Sequence, residues 1–309
     1  MQDTYQKTIL SPTSFKGLGL HSGVNSTVKL LPADADTGII FKRTDIKNNN
    51  TIKATYENVT SARLCTTLEN KNGITVSTVE HLLAALYIVG IDNVVVEINN
   101  KEIPIMDGSS KEFVEILNKV GTKKLEKFRK FLKVTESIEL IDNEKSISIE
   151  PNNSGLEVEF QLDYKNKIIG KQKNRVLFED KESLKEIYQS RTFCLFEDIE
   201  KIKDKGLAKG GSLDNAIVVK ENEIMNQDGL RNNKEFVNHK ILDLVGDFLL
   251  SGYRILGKVR CIHGGHQLSN SFLRKMFINK NKFTILDLNK TEILRKANSI
   301  NQNKIAVNA

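Results

Sequence analysis

The stretch Lys123-Lys-Leu-Glu-Lys-Phe-Arg-Lys130 divides the chain into two segments with the same order of elements. It is highly charged and interrupts the apolar periodicity on both sides. Before it, alternating strands such as Thr27-Val-Lys-Leu-Leu31 are followed by helical patterns. After it, a strand series that begins at Ser137-Ile-Glu-Leu140 is again followed by helices. We therefore predict a linker at residues 123–132 between two α+β domains of related build.

The two predicted domains account for most of the 309 residues, about twice the length of a typical domain. We predict an N-terminal α+β domain at residues 1–122, a C-terminal α+β domain at residues 133–297 and a polar tail at residues 298–309. Each domain is expected to contain small β-sheets packed with helices. The active site is expected at the interface between the domains.

The composition is that of a folded soluble protein, with 39% hydrophobic and 28% charged residues. Cys65, Cys194 and Cys261 are odd in number and widely spaced, which argues against a disulfide framework and favours a reducing compartment. The amino terminus lacks a signal-peptide pattern, and the longest apolar run is too short to cross a bilayer. We therefore expect a cytoplasmic protein with no transmembrane segment.

A helical pattern at residues 235–250 carries His239 and Asp243 four positions apart. On a helix they differ by about 40° in azimuth and about 6 Å in rise, so they can share one ligand. An imidazole and a carboxylate on one rigid face suit Zn²⁺ or a similar divalent ion. Asp247 continues the same stripe. The alternative is a hydrogen-bonded pair on the surface of an ordinary helix.

The segment Ser77-Thr-Val-Glu80-His81 places a carboxylate beside an imidazole at the start of an apolar helix. A catalytic metal site usually has three protein ligands and a nearby general base. His81 would complete the ligand set with His239 and Asp243, and Glu80 would be the base. The alternative is a capping box, in which Glu80 bonds back to the Ser77 amide.

Two further segments carry candidate catalytic groups. In His263-Gly-Gly-His266, His266 is a possible proton donor that Asp247 would keep protonated or oriented. The alternative is a solvated turn histidine. In Arg191-Thr-Phe193, the Thr192 hydroxyl could donate to a developing oxyanion, or it could bond to its own strand backbone.

Taken together, several ordered motifs resemble the UDP-3-O-acyl-N-acetylglucosamine deacetylase family over nearly the whole chain. No single motif is specific, but the ordered set is. The motifs are Phe15-Lys-Gly-Leu-Gly-Leu-His21-Ser-Gly23, Ser77-Thr-Val-Glu80-His81-Leu-Leu-Ala-Ala-Leu86, Ile103-Pro-Ile-Met-Asp107-Gly-Ser109, Arg191-Thr-Phe193, Gly210-Gly-Ser-x-Asp-Asn-Ala216, Asn226-x-Asp-Gly-Leu-Arg231, His239-Lys-x-Leu-Asp243-x-x-Gly-Asp247 and Gly265-His266.

The resemblance implies a zinc amidase that removes acetate from a UDP-linked, 3-O-acylated N-acetylglucosamine, the committed step of lipid A synthesis. It implies that zinc is held by His81, His239 and Asp243, the trio already suggested by the residue pattern. Ligands of this N/N/O type also accept Fe²⁺.

The resemblance also implies the remaining roles at the centre. Glu80 is the general base, and His266 is the proton donor supported by Asp247. Thr192 contacts the oxyanion, and Lys240 contacts the substrate beside the metal.

The substrate predicts two further contact regions. Lys240 is the candidate for the diphosphate, and Lys145 and Tyr164 are candidates for phosphate and uracil. The family builds an acyl channel from an insertion, here residues 194–215, where Leu195, Phe196, Ile199, Ile202 and Leu207 share much of one helix face. The alternative for this stripe is ordinary core. The remaining predicted substrate contacts are Leu20, Phe193 and Cys65.

Two histidines fit the family pattern less directly. His263 stands where we expect a lysine, which puts one phosphate contact in doubt. His21 belongs to a matching motif, and we expect its role to be architectural or peripheral to the substrate.

Two other functions compete with this one. Lys and Arg outnumber Asp and Glu by 46 to 39, a charge that favours anionic partners and is compatible with RNA binding. Against nucleic acid, the chain has no Trp, and its basic residues are dispersed rather than grouped in a stripe. A zinc peptidase or another metal amidase could use the same site. We expect a monomer that binds the UDP-sugar and no nucleic acid.

Overall fold

The computed structural model describes residues 4–179 and 181–288. In its first half, the strands are β1 (Tyr5–Ile9), β2 (Thr13–Leu18), β3 (Asn25–Pro32), β4 (Ile39–Arg43), β5 (Thr51–Lys53), β6 (Val59–Ser61), β7 (Thr67–Glu69), β8 (Thr75–Val76) and β9 (Val94–Ile98). The helices of this half are α1 (Glu80–Val89) and α2 (Lys111–Val120).

The second half is also built from short strands and helices. Its strands are β10 (Thr122–Phe128), β11 (Lys130–Val134), β12 (Ile138–Asp142), β13 (Lys145–Pro151), β14 (Leu156–Asp163), β15 (Lys171–Leu177), β16 (Phe193–Leu195), β17 (Ile217–Lys220), β18 (Glu223–Ile224), β19 (Arg254–Ile262) and β20 (Phe283–Asp287). Its helices are α3 (Lys181–Tyr188), α4 (Phe196–Asp204), α5 (Glu235–Leu249) and α6 (His266–Ile278).

The main sheets of the two halves share a pairing order of five strands, to which the second sheet adds β11 and β20. In the first, β2 and β4 flank β3 and β9 in the order β2-β3-β9-β4-β5, and only the β4–β9 pairing is parallel. In the second, β12-β13-β19-β14-β15 repeats this order, and the β14–β19 pairing is parallel. Each half inserts a three-stranded sheet, β6-β7-β8 or β16-β17-β18, before a helix that precedes the central strand. The predicted α+β class with two domains of related build is confirmed.

The segment predicted as a linker, residues 123–132, is extended and hydrogen-bonded. β10 pairs antiparallel with β1, and β11 joins the second sheet between β19 and β20. Between β10 and β11, Arg129 donates to both carboxylate oxygens of Asp92, at 2.8 and 2.7 Å. Residues 123–129 therefore pack against the first half of the chain, whereas residues 130–132 belong to the sheet of the second half. The exact domain bounds stay a prediction. The predicted polar tail lies outside the described residues.

Helices α1 and α5 pack against each other at the centre of the molecule. Both are buried almost all round, which explains why their sequences are apolar beyond a single stripe. Polar groups on such helices need partners, because burying them alone costs free energy. None of the helices in the described ranges has the length and hydrophobicity needed to cross a lipid bilayer.

Candidate metal centre

Three potential metal ligands converge where the start of α1 meets α5. His81 is the second residue of α1, and His239 and Asp243 lie one turn apart on α5. Their ligand atoms all lie within 4.8 Å of one another, and all three residues are buried. His81 Nε2 is 3.4 Å and His239 Nε2 is 3.3 Å from Asp243 Oδ1. The pair on α5 is therefore not a surface pair.

The donor set fits a divalent cation. Asp243 Oδ1 is buried and has no hydrogen-bond donor among the described residues. His239 Nδ1 lies 3.1 Å from the Ser190 carbonyl oxygen, to which its N–H donates, so its Nε2 lone pair faces Asp243. Burial lowers the pKa of His239 to about 3, so the imidazole is neutral and able to ligate. Two imidazole nitrogens and a carboxylate oxygen thus face one another.

Glu80 lies beside the three ligands, and its carboxyl group points into the centre. Its Oε2 accepts the Thr66 backbone N–H at 3.0 Å, and its Oε1 is 3.7 Å from His266 Nε2. Burial raises the pKa of Glu80 above its usual value. The capping-box alternative does not hold, because α1 begins at Glu80 with Val79 before it, and no side chain caps the helix.

His266 and Asp247 form a second buried pair at the centre. His266 Nδ1 lies 2.9 Å from Asp247 Oδ2, and His266 Nε2 lies 3.9 Å from Asp243 Oδ2. Burial favours the neutral imidazole, but the carboxylates of Asp247 and Glu80 prevail and raise the pKa of His266 to about 10. His266 is the first residue of α6 and is buried, so the solvated-turn alternative does not hold.

An apolar cavity of about 330 Å³ lies beside the centre. It is lined by the α4 side chains Phe196, Ile199 and Ile202 and by Thr192 and Phe193. The first half of the chain contributes Leu20, His21 and Leu64 to the lining. The loop at residues 208–211 lies against residues 19–21, where the Gly210 N–H donates to the Leu20 carbonyl at 3.0 Å. Three residues of the predicted stripe, Phe196, Ile199 and Ile202, thus face an open cavity rather than a filled core. Leu195 and Leu207 lie outside α4 and outside this lining, and Leu195 packs against the hydrophobic core.

A second cavity, called here the polar cavity, has a volume of about 290 Å³ and is lined by both charged and apolar residues. Its lining includes Lys145, Tyr164, Lys240 and His263. Lys240 also donates to Asp243 Oδ2 at 3.0 Å, so the cavity borders the candidate metal ligands.

Phe193 lies between the two cavities. Its ring centroid is 5.8 Å from that of Tyr164 and 6.4 Å from that of His239. The Lys240 ammonium lies 5.5 Å from the Phe193 ring centroid, within cation–π range. The polar cavity, the apolar cavity and the buried centre therefore meet at this ring.

Two predicted residues lie at the edge of the cluster. Cys65 is half-buried, and burial together with the nearby Glu80 carboxylate raises its thiol pKa to about 12. His21 lines the apolar cavity, and its backbone N–H donates to Glu102 Oε1 at 2.8 Å. Neither belongs to the trio of candidate ligands.

Thr66 and Ser190 are two residues that the sequence gives no reason to single out. Thr66 contacts both Glu80 and Asp247, and the Ser190 carbonyl orients His239. Nothing in the sequence distinguishes this threonine or this backbone carbonyl from others that have no role in a site. Both are recognised only when the fold brings distant parts of the chain together.

Known proteins are similar to this chain over most of its length. The family model for UDP-3-O-acyl N-acetylglycosamine deacetylase matches residues 6–278. The UDP-3-O-acyl-N-acetylglucosamine deacetylase of Haemophilus ducreyi is 39% identical over 93% of this chain and 94% of its own length. The protein of the same name from Geotalea uraniireducens is 40% identical over 93% of each chain. That from Aliivibrio fischeri is 42% identical over 87% of this chain and 88% of its own. The chain therefore belongs to the UDP-3-O-acyl-N-acetylglucosamine deacetylase family.

Proposed function

We propose that this chain is a metal-dependent hydrolase that removes the N-acetyl group from UDP-3-O-acyl-N-acetylglucosamine. The products are UDP-3-O-acyl-glucosamine and acetate, in the cytoplasmic part of lipid A biosynthesis. The observation that carries the proposal is the convergence of His81, His239 and Asp243 on one point beside Glu80 and His266, in a member of this family.

The proposed ion is zinc, held by His81, His239 and Asp243. The set of two imidazoles and one carboxylate is typical of catalytic zinc sites, and Fe²⁺ is the alternative. When bound, the ion supplies Lewis acidity, which makes a water molecule more acidic and polarises the amide carbonyl.

Glu80 accepts the proton of the attacking water. Its raised pKa brings the carboxylate closer to working pH, where a general base is most effective. Its second oxygen is already engaged by the Thr66 amide, which leaves Oε1 for the proton.

His266 donates a proton to the departing amine, which is a poor leaving group without one. Asp247 holds its Nδ1, so Nε2 is the nitrogen that faces the centre. The hydrogen bond also favours the protonated imidazole, as a proton donor requires.

Thr192 donates from its hydroxyl to the oxyanion of the tetrahedral intermediate. Support comes from its place in the fold: its backbone is fixed by hydrogen bonds to Gly108 and Ile217, each 2.8 Å long. Its side chain lines the apolar cavity, two residues from the carbonyl that orients His239.

The two cavities supply separate sites for the two ends of the substrate. The apolar cavity, with Leu20 and Phe193 in its lining, takes the fatty acyl chain, and Cys65 lies at the edge of the centre. In the polar cavity, Lys145 and Lys240 bind the diphosphate, and Tyr164 contacts uracil.

Acetate release from UDP-3-O-acyl-N-acetylglucosamine by the zinc-loaded protein tests this function. An N-acetylated peptide is the competing substrate, and a His239→Gln variant is the inactive control. We expect release from the sugar nucleotide and none from the peptide. Acetate release from the peptide alone would indicate a different metal amidase, cleavage of the peptide backbone would indicate a peptidase, and RNA binding without bound metal would indicate a nucleic-acid-binding protein.

A further inference from the structure

Thr66 forms hydrogen bonds to the carboxylates of Glu80 and Asp247, which have proposed roles in proton transfer at the centre. It lies in the turn between β6 and β7, and only 1% of its surface is exposed. Its backbone N–H donates to Glu80 Oε2 at 3.0 Å, and its hydroxyl donates to Asp247 Oδ1 at 2.6 Å. One residue of the inserted sheet thus connects the proposed general base to the partner of the proposed proton donor.

The hydrogen bond from the Thr66 amide determines which oxygen of Glu80 is available to accept a proton. Because Oε2 accepts the Thr66 N–H, Oε1 is the oxygen that lies 3.7 Å from His266 Nε2. The donor belongs to the backbone of Thr66, which is itself buried, so it holds the carboxyl group in one orientation.

The hydroxyl contact decides how Asp247 meets His266. Asp247 Oδ1 accepts the Thr66 hydroxyl, and Oδ2 accepts His266 Nδ1–H at 2.9 Å. With both oxygens engaged, the carboxylate cannot rotate without breaking a hydrogen bond. The imidazole that it holds is therefore fixed with Nε2 towards the centre.

We propose that Thr66 is a positioning residue of the deacetylation reaction, which acts through Asp247 on His266 and through its amide on Glu80. This inference rests on the proposed function. It also gives the inserted sheet β6-β7-β8 a purpose, since the turn between its first two strands delivers Thr66 to the centre.

The test isolates the hydroxyl. Thr66→Val keeps the shape and the backbone N–H but removes the donor to Asp247, whereas Thr66→Ser keeps the donor. With zinc-loaded enzyme, we expect Thr66→Val to lower kcat by about 10- to 100-fold with KM nearly unchanged, a cost typical of lost supporting hydrogen bonds. Thr66→Ser should recover most of the wild-type kcat. The metal content of both variants should equal that of the wild type.

Thr8→Val is the matched control for stability. Thr8 is 2% exposed, and its hydroxyl accepts the Ala33 N–H at 2.9 Å in a different part of the fold. This variant should lower Tm without changing kcat.

A double-mutant cycle tests whether Thr66 acts through Asp247. If it does, Thr66→Val lowers kcat much less in an Asp247→Asn background than in the wild type, because coupled residues are not additive. If Thr66→Val does not fold, the smaller Thr66→Ala replaces it under the same criteria.

Three results would overturn the inference: a wild-type kcat for Thr66→Val, an effect confined to KM, or additivity with Asp247→Asn. In each case the active wild type leaves the proposed function intact. A wild-type protein that releases no acetate would instead overturn the proposed function, and this inference with it.

Discussion

Gly246 of α5 lies against the backbone carbonyl of Glu80 at the start of α1. A Cβ at position 246 would overlap that carbonyl, so the two helices can approach this closely only because the residue is glycine. The same contact sets how far His81 on α1 stands from His239 on α5. A residue that binds nothing therefore fixes the spacing of the candidate ligands.

We expect Gly246→Ala to separate the two helices. The added methyl group must displace backbone rather than a flexible side chain, which costs about 1–3 kcal/mol in a packed core. Urea unfolding of the metal-free protein should show this loss, and zinc affinity should fall as well. Unchanged stability and unchanged zinc affinity would show that the helix contact is not tight.

We expect Glu80→Gln to lower kcat by about 10² to 10⁴-fold, the usual contribution of a general base. KM and metal content should change little, because Glu80 is not among the proposed ligands and glutamine still offers an oxygen to the Thr66 N–H. Steady-state kinetics on enzyme with one zinc ion per chain measures this. Near-native turnover would show that another group accepts the proton.

Two histidines of the centre, His239 and His266, should titrate in opposite ways in the metal-free protein. Burial lowers the pKa of His239 to about 3, whereas the carboxylates around His266 outweigh its burial and raise its pKa to about 10. At pH 7.5, NMR of the imidazole nitrogens should therefore show a protonated His266 and a neutral His239. A neutral His266 at this pH would contradict its role as a proton donor.

These shifts also set the sign of the pH dependence of stability. His266 stabilises the metal-free fold fully below the unfolded pKa of about 6.5, and this contribution is lost as pH rises towards about 10. His239 affects stability at acidic pH. As pH falls from about 6.5 towards about 3, His239 is protonated in the unfolded state but not in the folded state, so the free energy of unfolding decreases. Chemical unfolding at a series of pH values measures this dependence. In the Asp247→Asn variant, the loss of stability between about pH 6.5 and 10 should disappear, because the carboxylate that raises the pKa of His266 is gone. A pH profile identical to that of the wild type would contradict this prediction.

Acyl chain length should control kcat/KM if the apolar cavity holds the chain. Each buried methylene contributes about 0.8 kcal/mol, so each one removed should lower kcat/KM about fourfold until the cavity is empty. Ile202→Asp, which places a charge in the cavity wall, should weaken this dependence. A series of substrates of decreasing chain length measures the slope. Equal kcat/KM for all lengths would exclude the cavity as the acyl site.

The sequence predicted those parts of the centre whose chemistry is local. On a helix, the spacing of residues along the sequence determines which face their side chains share. The sequence therefore indicated that His239 and Asp243 lie on one face, and it showed Glu80 beside His81 at the start of a helix. The role of Thr66 was not visible, because it depends on a turn meeting residues far along the chain.

The fold was predicted to a similar extent. The order of strands and helices revealed two related halves, but not that their sheets share one pairing order, since strand pairing is decided by long-range backbone hydrogen bonds. For the same reason, the Lys-rich segment at residues 123–132 was predicted to be a linker, although residues 123–128 lie in β10, which pairs with β1.

Zinc titration of the metal-free protein, followed by acetate release from UDP-3-O-acyl-N-acetylglucosamine, measures whether turnover depends on one metal ion at the proposed centre. We expect no release without metal, a rise in rate up to one zinc ion per chain, and no further rise. Asp243→Ala should give no release at one equivalent, since it removes the carboxylate that both imidazoles face. Full turnover in the presence of a strong chelator, or a wild-type rate for Asp243→Ala, would contradict the proposed metal centre.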